Sequence, residues 1–280
     1  MSELLKVWTQ PELSEHFQRA GLAAGDAVIL HSSLKRLGQV QGGAETVVEA
    51  LLDVIGPQGH LLVPTFTYCL PLWNIPPFDI DATKSRVGVI TETIRLRPDA
   101  VRSFHPTHSV AVIGPDKEAL TRNHLHATPL GVDCPFDRMR KYGAKILMLG
   151  TTQDTNSSLH LCEVLAKLPY IHVTFSDNQN FELAWFINEE QQVEYVPIYE
   201  VPGCSRGFRV VEEPLRRAGV LRDVVVGYAP SQLLLLNDLI EAMNELLTAN
   251  PTLLLCRNEQ CTICSKRRAY MREIAGPADS

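Results

Sequence analysis

An imidazole and a carboxylate stand three residues apart in Lys145–Glu163, KILMLGTTQDTNSSLHLCE, at His160 and Glu163. On a helix that spacing puts both side chains on one face, where the carboxylate can orient the ring and stabilise its cation. The positive end of the helix dipole acts the other way and favours neutral imidazole, the form a general base needs. Asp154 and Ser157 add polar groups just upstream. They stand at the carboxyl end of a buried strand, where open α/β sheets bind ligands. Taken alone, the pair reads first as a structural contact, since His and Glu three apart arise by chance on many helices. Its place behind a strand and a polar loop turns it toward chemistry.

A second polar cluster is FHPTHSVAVIG, with His105, Thr107, His108 and Ser109. Two histidines three apart suggest a metal, but Pro106 keeps them off one regular helical turn and no third ligand follows at a recognisable spacing. Pocket lining is the expectation. A third is HSSLKRLG, where His31, Ser32 and Ser33 end an apolar run and Lys35 and Arg36 add positive charge. A strand-to-helix turn of this kind holds phosphate or thioester oxygens on its N–H groups, and Gly42-Gly43 lets the backbone approach a ligand. An ordinary capped turn is the alternative. No GxxxxGK[ST] or GxGxxG occurs, so nucleotide hydrolysis and dinucleotide binding lack their motifs.

Cys256, Cys261 and Cys264 form Cys-x4-Cys-x2-Cys in CRNEQCTIC, with Cys204 a distant fourth thiol. Three local cysteines fall short of the paired Cys-x2-Cys pattern of strong zinc sites. Free thiols are the expectation, structural zinc the alternative, and no metal is expected in catalysis. Cys162, beside His160, reads as a small core residue rather than a nucleophile.

The elements that would position these groups alternate strand and helix. Asp26–His31 and Gly59–Phe66 are buried strands, and Ala44–Ile55 between them has an apolar helical face stopped by Gly56-Pro57. Ser109–Ile113 and Lys145–Leu149 are shorter strands. The helix after the latter is capped by Asn156 or Ser157. Asn180–Ile187 and Gln192–Ile198 form a hairpin that joins the sheet, Asp223–Tyr228 and Gln232–Leu236 extend it, and Asn237 caps a helix to about Thr248. The fold class is α/β, with a central sheet flanked by helices and an antiparallel excursion. No repeat or linker divides the chain, so 1–280 is read as one domain, with its core at about 25–230 and a helix plus Cys-containing tail at 237–280.

With 280 residues, 45% hydrophobic and 21% charged, the chain can bury an enzyme-sized core, and disorder is excluded. A formal net charge of -6 argues against nucleic acid as a partner and fits, weakly, a cationic substrate. No membrane-length apolar run and no leader-like start are present, and seven cysteines spread over this length do not form a secreted framework. A cytoplasmic protein with no membrane partner is expected.

Together the segments VILHSSLKRLGQVQGGAETVVEALLDVIGPQGHLLVPTF, RVGVITETIRLRPDAVRSFHPTHSVAVIG and KILMLGTTQDTNSSLHLCE resemble the aminoglycoside 3-N-acetyltransferase family. A looser likeness runs on through VPGCSRGF, so the resemblance covers roughly residues 25–230. It implies an antibiotic N-acetyltransferase-like fold with a mixed sheet, and direct acetyl transfer from acetyl-CoA to a small-molecule amine. By position it makes His160 the general base and Glu163 its orienting partner, with Asp154 at the reacting centre. His31, Ser32, Ser33, Lys35, Gly42, Gly43 and Ser109 fall to the coenzyme side. Phe66, Tyr68, Asp79, Glu92, His105 and Ser157 fall to the acceptor side. The loop FTYCLPLWNIPPFDIDATKS, with Trp73 and several prolines, departs from the family where acceptor contacts belong. An acceptor outside the aminoglycosides, as in biosynthetic acyl transfer, and coenzyme binding without turnover are therefore the competing expectations.

Overall fold

The computed structural model describes residues 6–177 and 180–276. Residues 1–5, part of the stretch read for a leader, and 277–280, the end of the tail, lie outside them. The strands in chain order are β1 (Val7–Trp8), β2 (Ala27–Ser32), β3 (Gln39–Val40), β4 (His60–Pro64), β5 (Val101–Arg102), β6 (Val110–Ile113), β7 (Lys145–Leu149), β8 (Phe181–Ile187), β9 (Val193–Tyr199), β10 (Arg222–Val226) and β11 (Ala229–Leu235). Seven of them make one mixed sheet in the order β10-β11-β7-β2-β4-β6-β5. Its centre is parallel, β2 pairing with both β7 and β4, and both sides are finished by antiparallel strands.

Strand alternation divides the core into two layers. Ile29, Leu62, Val112, Ile146 and Met148 point to one face and pack with Leu159, Leu239, Met243 and Leu247 of the helices Ser158–Leu165 and Leu236–Ala249. Val28, Leu30, Leu61, Val63, Leu147 and Leu149 point to the other. There they meet Leu13 and Phe17 of the helix Gln10–Ala20 and Val47, Val48 and Leu51 of the helix Ala44–Ile55. Each central strand is buried on both faces, which is why its residues read as unbroken apolar runs.

Two expectations are corrected. The hairpin forms, but β8 and β9 make a sheet of their own and do not join the central one. Ala184, Ile198 and Phe186 pack on Leu70, Val201, Cys69 and Phe78, so its apolar face is already covered by loop residues. Asn237 does not cap the following helix, which starts at Leu236 with Leu235 before it. Its side-chain amide donates instead to the Arg140 carbonyl at 3.2 Å. The cysteine-bearing tail contains a helix, Thr262–Ala275, with Ile263, Cys264 and Arg267 buried. The helix Gln10–Ala20 was not anticipated either. Its sign was Thr9-x-x-Glu12 with Pro11 in the first turn, and the Glu12 carboxylate accepts the Thr9 N–H at 3.0 Å.

Candidate active site

The three parallel strands β2, β4 and β7 end at one edge of the sheet, and β6, antiparallel to β4, begins there. A cavity of about 360 Å³ opens at that edge. It is lined by His31 and Ser32 from β2, Pro64 at the end of β4 and Phe66 just after it, His108 before β6, and Thr151, Asp154, Ser157 and His160 after β7. A crevice at the carboxyl ends of parallel strands is where this kind of sheet leaves backbone and polar side chains free for a ligand. Leu70, Trp73, Phe175 and Val201 form the opposite wall, beside the hairpin.

Buried amides fix the turn that carries His160. Gln153 donates through its side chain to Gln232 Oε1 at 2.9 Å and accepts from Asn156 Nδ2 at 2.8 Å. Asn156 Oδ1 then accepts the Ser158 N–H at 3.0 Å, so Asn156 rather than Ser157 supplies the cap. One turn in, His160 Nδ1 lies 2.6 Å from Glu163 Oε2. An ionised carboxylate only accepts, so Nδ1 carries the proton and Nε2 holds the lone pair. No described residue bonds to Nε2, and the ring lines the cavity. Glu163 also accepts the Tyr170 hydroxyl at 2.8 Å. Burial acts to raise the Glu163 carboxyl, but the hydrogen bond and charge of His160, with Arg267 and Tyr170, outweigh it and hold the group below its usual range. Arg267, itself buried, lies over the Tyr170 ring at 5.3 Å and donates to Val201 O at 3.0 Å.

The other histidines differ. His105 Nδ1 accepts the backbone N–H groups of Thr107 and His108 at 3.2 and 3.0 Å. His124 donates from Nε2 to Pro129 O at 3.1 Å and pairs through Nδ1 with the Ser103 hydroxyl at 2.8 Å. Burial pushes His105 well below the ordinary imidazole range and His124 down to about 3. His108 is likewise held low by burial, then by the charge of His160, and its ring packs against Phe66 and Tyr68. His31 is lowered by burial to about 3, and its Nε2 has no partner among the described residues.

Of the residues singled out in the sequence, His31, Ser32, Phe66, Tyr68, Asp154, Ser157 and His160 meet at this cavity, with Glu163 directly behind His160. Others are engaged elsewhere. Ser109 donates to Thr65 O at 2.8 Å beneath the sheet edge, and His105 sits behind His108 without lining the cavity. Glu92 takes two bonds from Arg95, each 2.8 Å, and Asp79 accepts the N–H groups of Asp81 and Ala82. Ser33, Lys35, Gly42 and Gly43 do not reach the lining either. Lys35 and Arg36 are exposed, and among the described residues neither forms an ion pair. Gly42 and Gly43 take φ of +79° and +68°, the left-handed backbone that turns the chain into the helix Ala44–Ile55. Tyr170, Arg267 and Thr151 were missed, and no local motif marks them. The Val201–Ser205 wall was marked only by the VPGCSRGF likeness.

Comparison with known proteins places the chain in a family. The family model described as aminoglycoside 3-N-acetyltransferase matches residues 29–248. Aminoglycoside N(3)-acetyltransferase VII of Streptomyces paromomycinus is 30% identical over 83% of this chain and 89% of its own. Among solved structures, the apoenzyme of aminoglycoside acetyltransferase AAC(3)-IVa superposes with a TM-score of 0.84 at 24% identity, covering 96% of this chain and 99% of that one. AAC-IIIb, solved as a binary complex with CoASH, superposes at 0.76 with 26% identity, covering 87% and 97%.

Proposed function

Because the chain belongs to the aminoglycoside 3-N-acetyltransferase family, and is thus an acetyl-CoA-dependent acetyltransferase, we propose that His160 is its general base in acetylating an aminoglycoside or aminosugar-like amine. The observation that carries this reading is the His160–Glu163–Tyr170 chain, which fixes the proton on Nδ1 and leaves Nε2 for the cavity. Nε2 takes a proton from the acceptor amine as its nitrogen attacks the thioester carbonyl. The C–S bond then breaks, and the proton held by His160 is the one the departing sulfur needs. Glu163 stabilises the imidazolium between these events and keeps its own proton off. Asp154, half-buried, lines the same cavity as the His160 ring and would meet the acceptor amine.

For acetyl-CoA, the Ser32–Arg36 turn supports phosphate binding, since Lys35 and Arg36 are exposed and Ser32 lines the rim. His31 Nε2 and Thr151 Oγ1, both buried without partners among the described residues, are donors or acceptors for the thioester arm. The coenzyme should protect the amides of Ser32–Arg36 from hydrogen exchange; protection only elsewhere removes this turn from the site. The reading includes a cytoplasmic, single-domain enzyme, in keeping with its co-substrate and with the absence, among the described residues, of any helix long and apolar enough to cross a membrane.

A second reading, acyl transfer to a non-aminoglycoside amine in a biosynthetic setting, is favoured by the lining itself. Asp154 is its one carboxylate among the described residues, whereas Phe66, Tyr68, Trp73 and Phe175 offer aromatic surface. A polycation would find little counter-charge there. Thiol release from acetyl-CoA across aminoglycosides and single-amine aromatic acceptors decides between them, and turnover of neither class would defeat both.

A further inference from the structure

Outside the cavity, four thiols from three stretches of chain converge. The Sγ atoms of Cys204, Cys256, Cys261 and Cys264 all lie within 4.8 Å of one another. We propose that these four cysteines bind one Zn(II) as thiolates, in a structural centre that pins the terminal helix to the wall of the cavity.

The donor set is that of a closed zinc site. Metal–sulfur bonds of about 2.3 Å in a tetrahedron place the sulfurs about 3.8 Å apart, so the observed cluster needs only a small contraction. Cys261 and Cys264 come from the start of the helix Thr262–Ala275, where two cysteines three apart present both sulfurs to one point. Cys256 comes from the segment that follows the preceding helix, and Cys204 from the strip after the hairpin. The Arg206 N–H donates to Cys204 Sγ at 3.4 Å, the kind of bond that steadies a thiolate. With all four positions taken by protein sulfur, no coordination site is left for substrate, so the role is structural.

Charge is the second, independent observation. Four thiolates around Zn(II) carry two net negative charges. Arg206, Arg257, Arg268 and Arg272 line the groove beside Cys256 together with one carboxylate, Glu259; among the described residues none of the four arginines forms an ion pair, and Arg268 donates to the Cys256 carbonyl and to Ser265 Oγ. An anionic metal centre accounts for four guanidinium groups without ion pairs around one cysteine.

The consequence reaches the site. Cys204 belongs to the Val201–Ser205 strip, of which Val201, Pro202, Gly203 and Ser205 line the cavity. Arg267, on the same helix as Cys264, donates to Val201 O and covers Tyr170, which in turn holds Glu163. Gly203 has no side chain where a Cβ would stand 2.5 Å from that guanidinium. Metal on one side and Arg267 on the other therefore hold the same strip of wall. This inference does not depend on the acetyl-transfer reading, because its test reads metal and not turnover.

Full-length protein purified anaerobically without chelators should contain about one zinc per chain by elemental analysis. Its release by an organomercurial should track modification of the four thiols. Replacement with Co(II) should give the intense visible bands and sulfur-to-metal charge transfer of a tetrahedral tetrathiolate. Cys204→Ser and Cys264→Ser should lose most of the zinc, whereas Cys69→Ala, outside the cluster, retains it. Stripping the metal should raise amide exchange in the terminal helix while the helix Ala44–Ile55 keeps its protection. Should the variants fail to fold, the metal content and cobalt spectrum of the unaltered chain still decide. Far less than one zinc per chain with all four thiols open to alkylation, disulfides among them under the same conditions, or iron in place of zinc would overturn the proposal.

Discussion

Two groups of histidines stand near one end of the sheet, and their surroundings make opposite use of the same side chain. His160 has an ionised partner, Glu163, and an edge on the cavity. His105 and His124 have only hydroxyl, carbonyl and N–H partners and are wholly buried. Removing an imidazolium from water is costly unless an anion compensates it, so the second pair stays neutral, whereas His160 has a carboxylate beside it to compensate such a charge. Sequence spacing does not separate them: His105 and His108 are three apart, as are His160 and Glu163. The partner decides.

The sharpest test of that contrast is His160→Ala, expected to lower turnover by ~10² to 10⁴ with coenzyme affinity nearly unchanged. Near-normal turnover with a verified acceptor would erase the distinction between the two groups.

Next in size is the acid sensitivity of the buried pair. Both are bases whose folded values are depressed, so below about pH 6.5 the unfolded chain binds protons that the folded chain refuses. Stability is then full above that pH and falls as pH drops toward the folded values. Two such groups cost up to about 2.7 kcal/mol per pH unit. Urea midpoints at pH 7, 6 and 5 measure it, and His124→Gln should reduce the slope by about one proton. Equal midpoints across that range would show the pair to be protonated in the fold.

Glu163→Gln should slow turnover less than loss of the imidazole does, because an amide still positions the ring but supplies no charge. A rate equal to wild type would assign Glu163 to packing. The smallest effect expected is that of Tyr170→Phe, which removes one hydrogen bond to a buried carboxylate, about 1.5–3 kcal/mol of stability. A double-mutant cycle with Glu163→Gln should show coupling between the two, and additivity would break the chain at that link.

Much of the frame was legible because it rests on short-range periodicity. Lys145–Leu149 and Ala44–Ile55 match the structure residue for residue, and the hairpin strands differ from their expected bounds by one residue at most ends. The site was legible where one continuous stretch carries it: Asp154, Ser157, His160 and Glu163 all lie between the end of β7 and the end of the helix Ser158–Leu165. Asp79 and Glu92 were misplaced for a physical reason. An acidic residue in a loop satisfies nearby N–H groups or an Arg on the next turn before it reaches a ligand, and only coordinates show which.

By itself, then, the chain determined the alternation of buried strands and helices and the facing of His160 with Glu163, because backbone periods of two and 3.6 residues fix which neighbours share a face. Tertiary structure alone decided what meets across long separations. Tyr170 and Arg267 behind the His160–Glu163 pair, the hairpin's separation from the sheet, and Cys204 beside Cys256, Cys261 and Cys264 all depend on how loops close and which surfaces bury together. Local sequence carries no period for such meetings, since their free energy is gained only when the whole core packs.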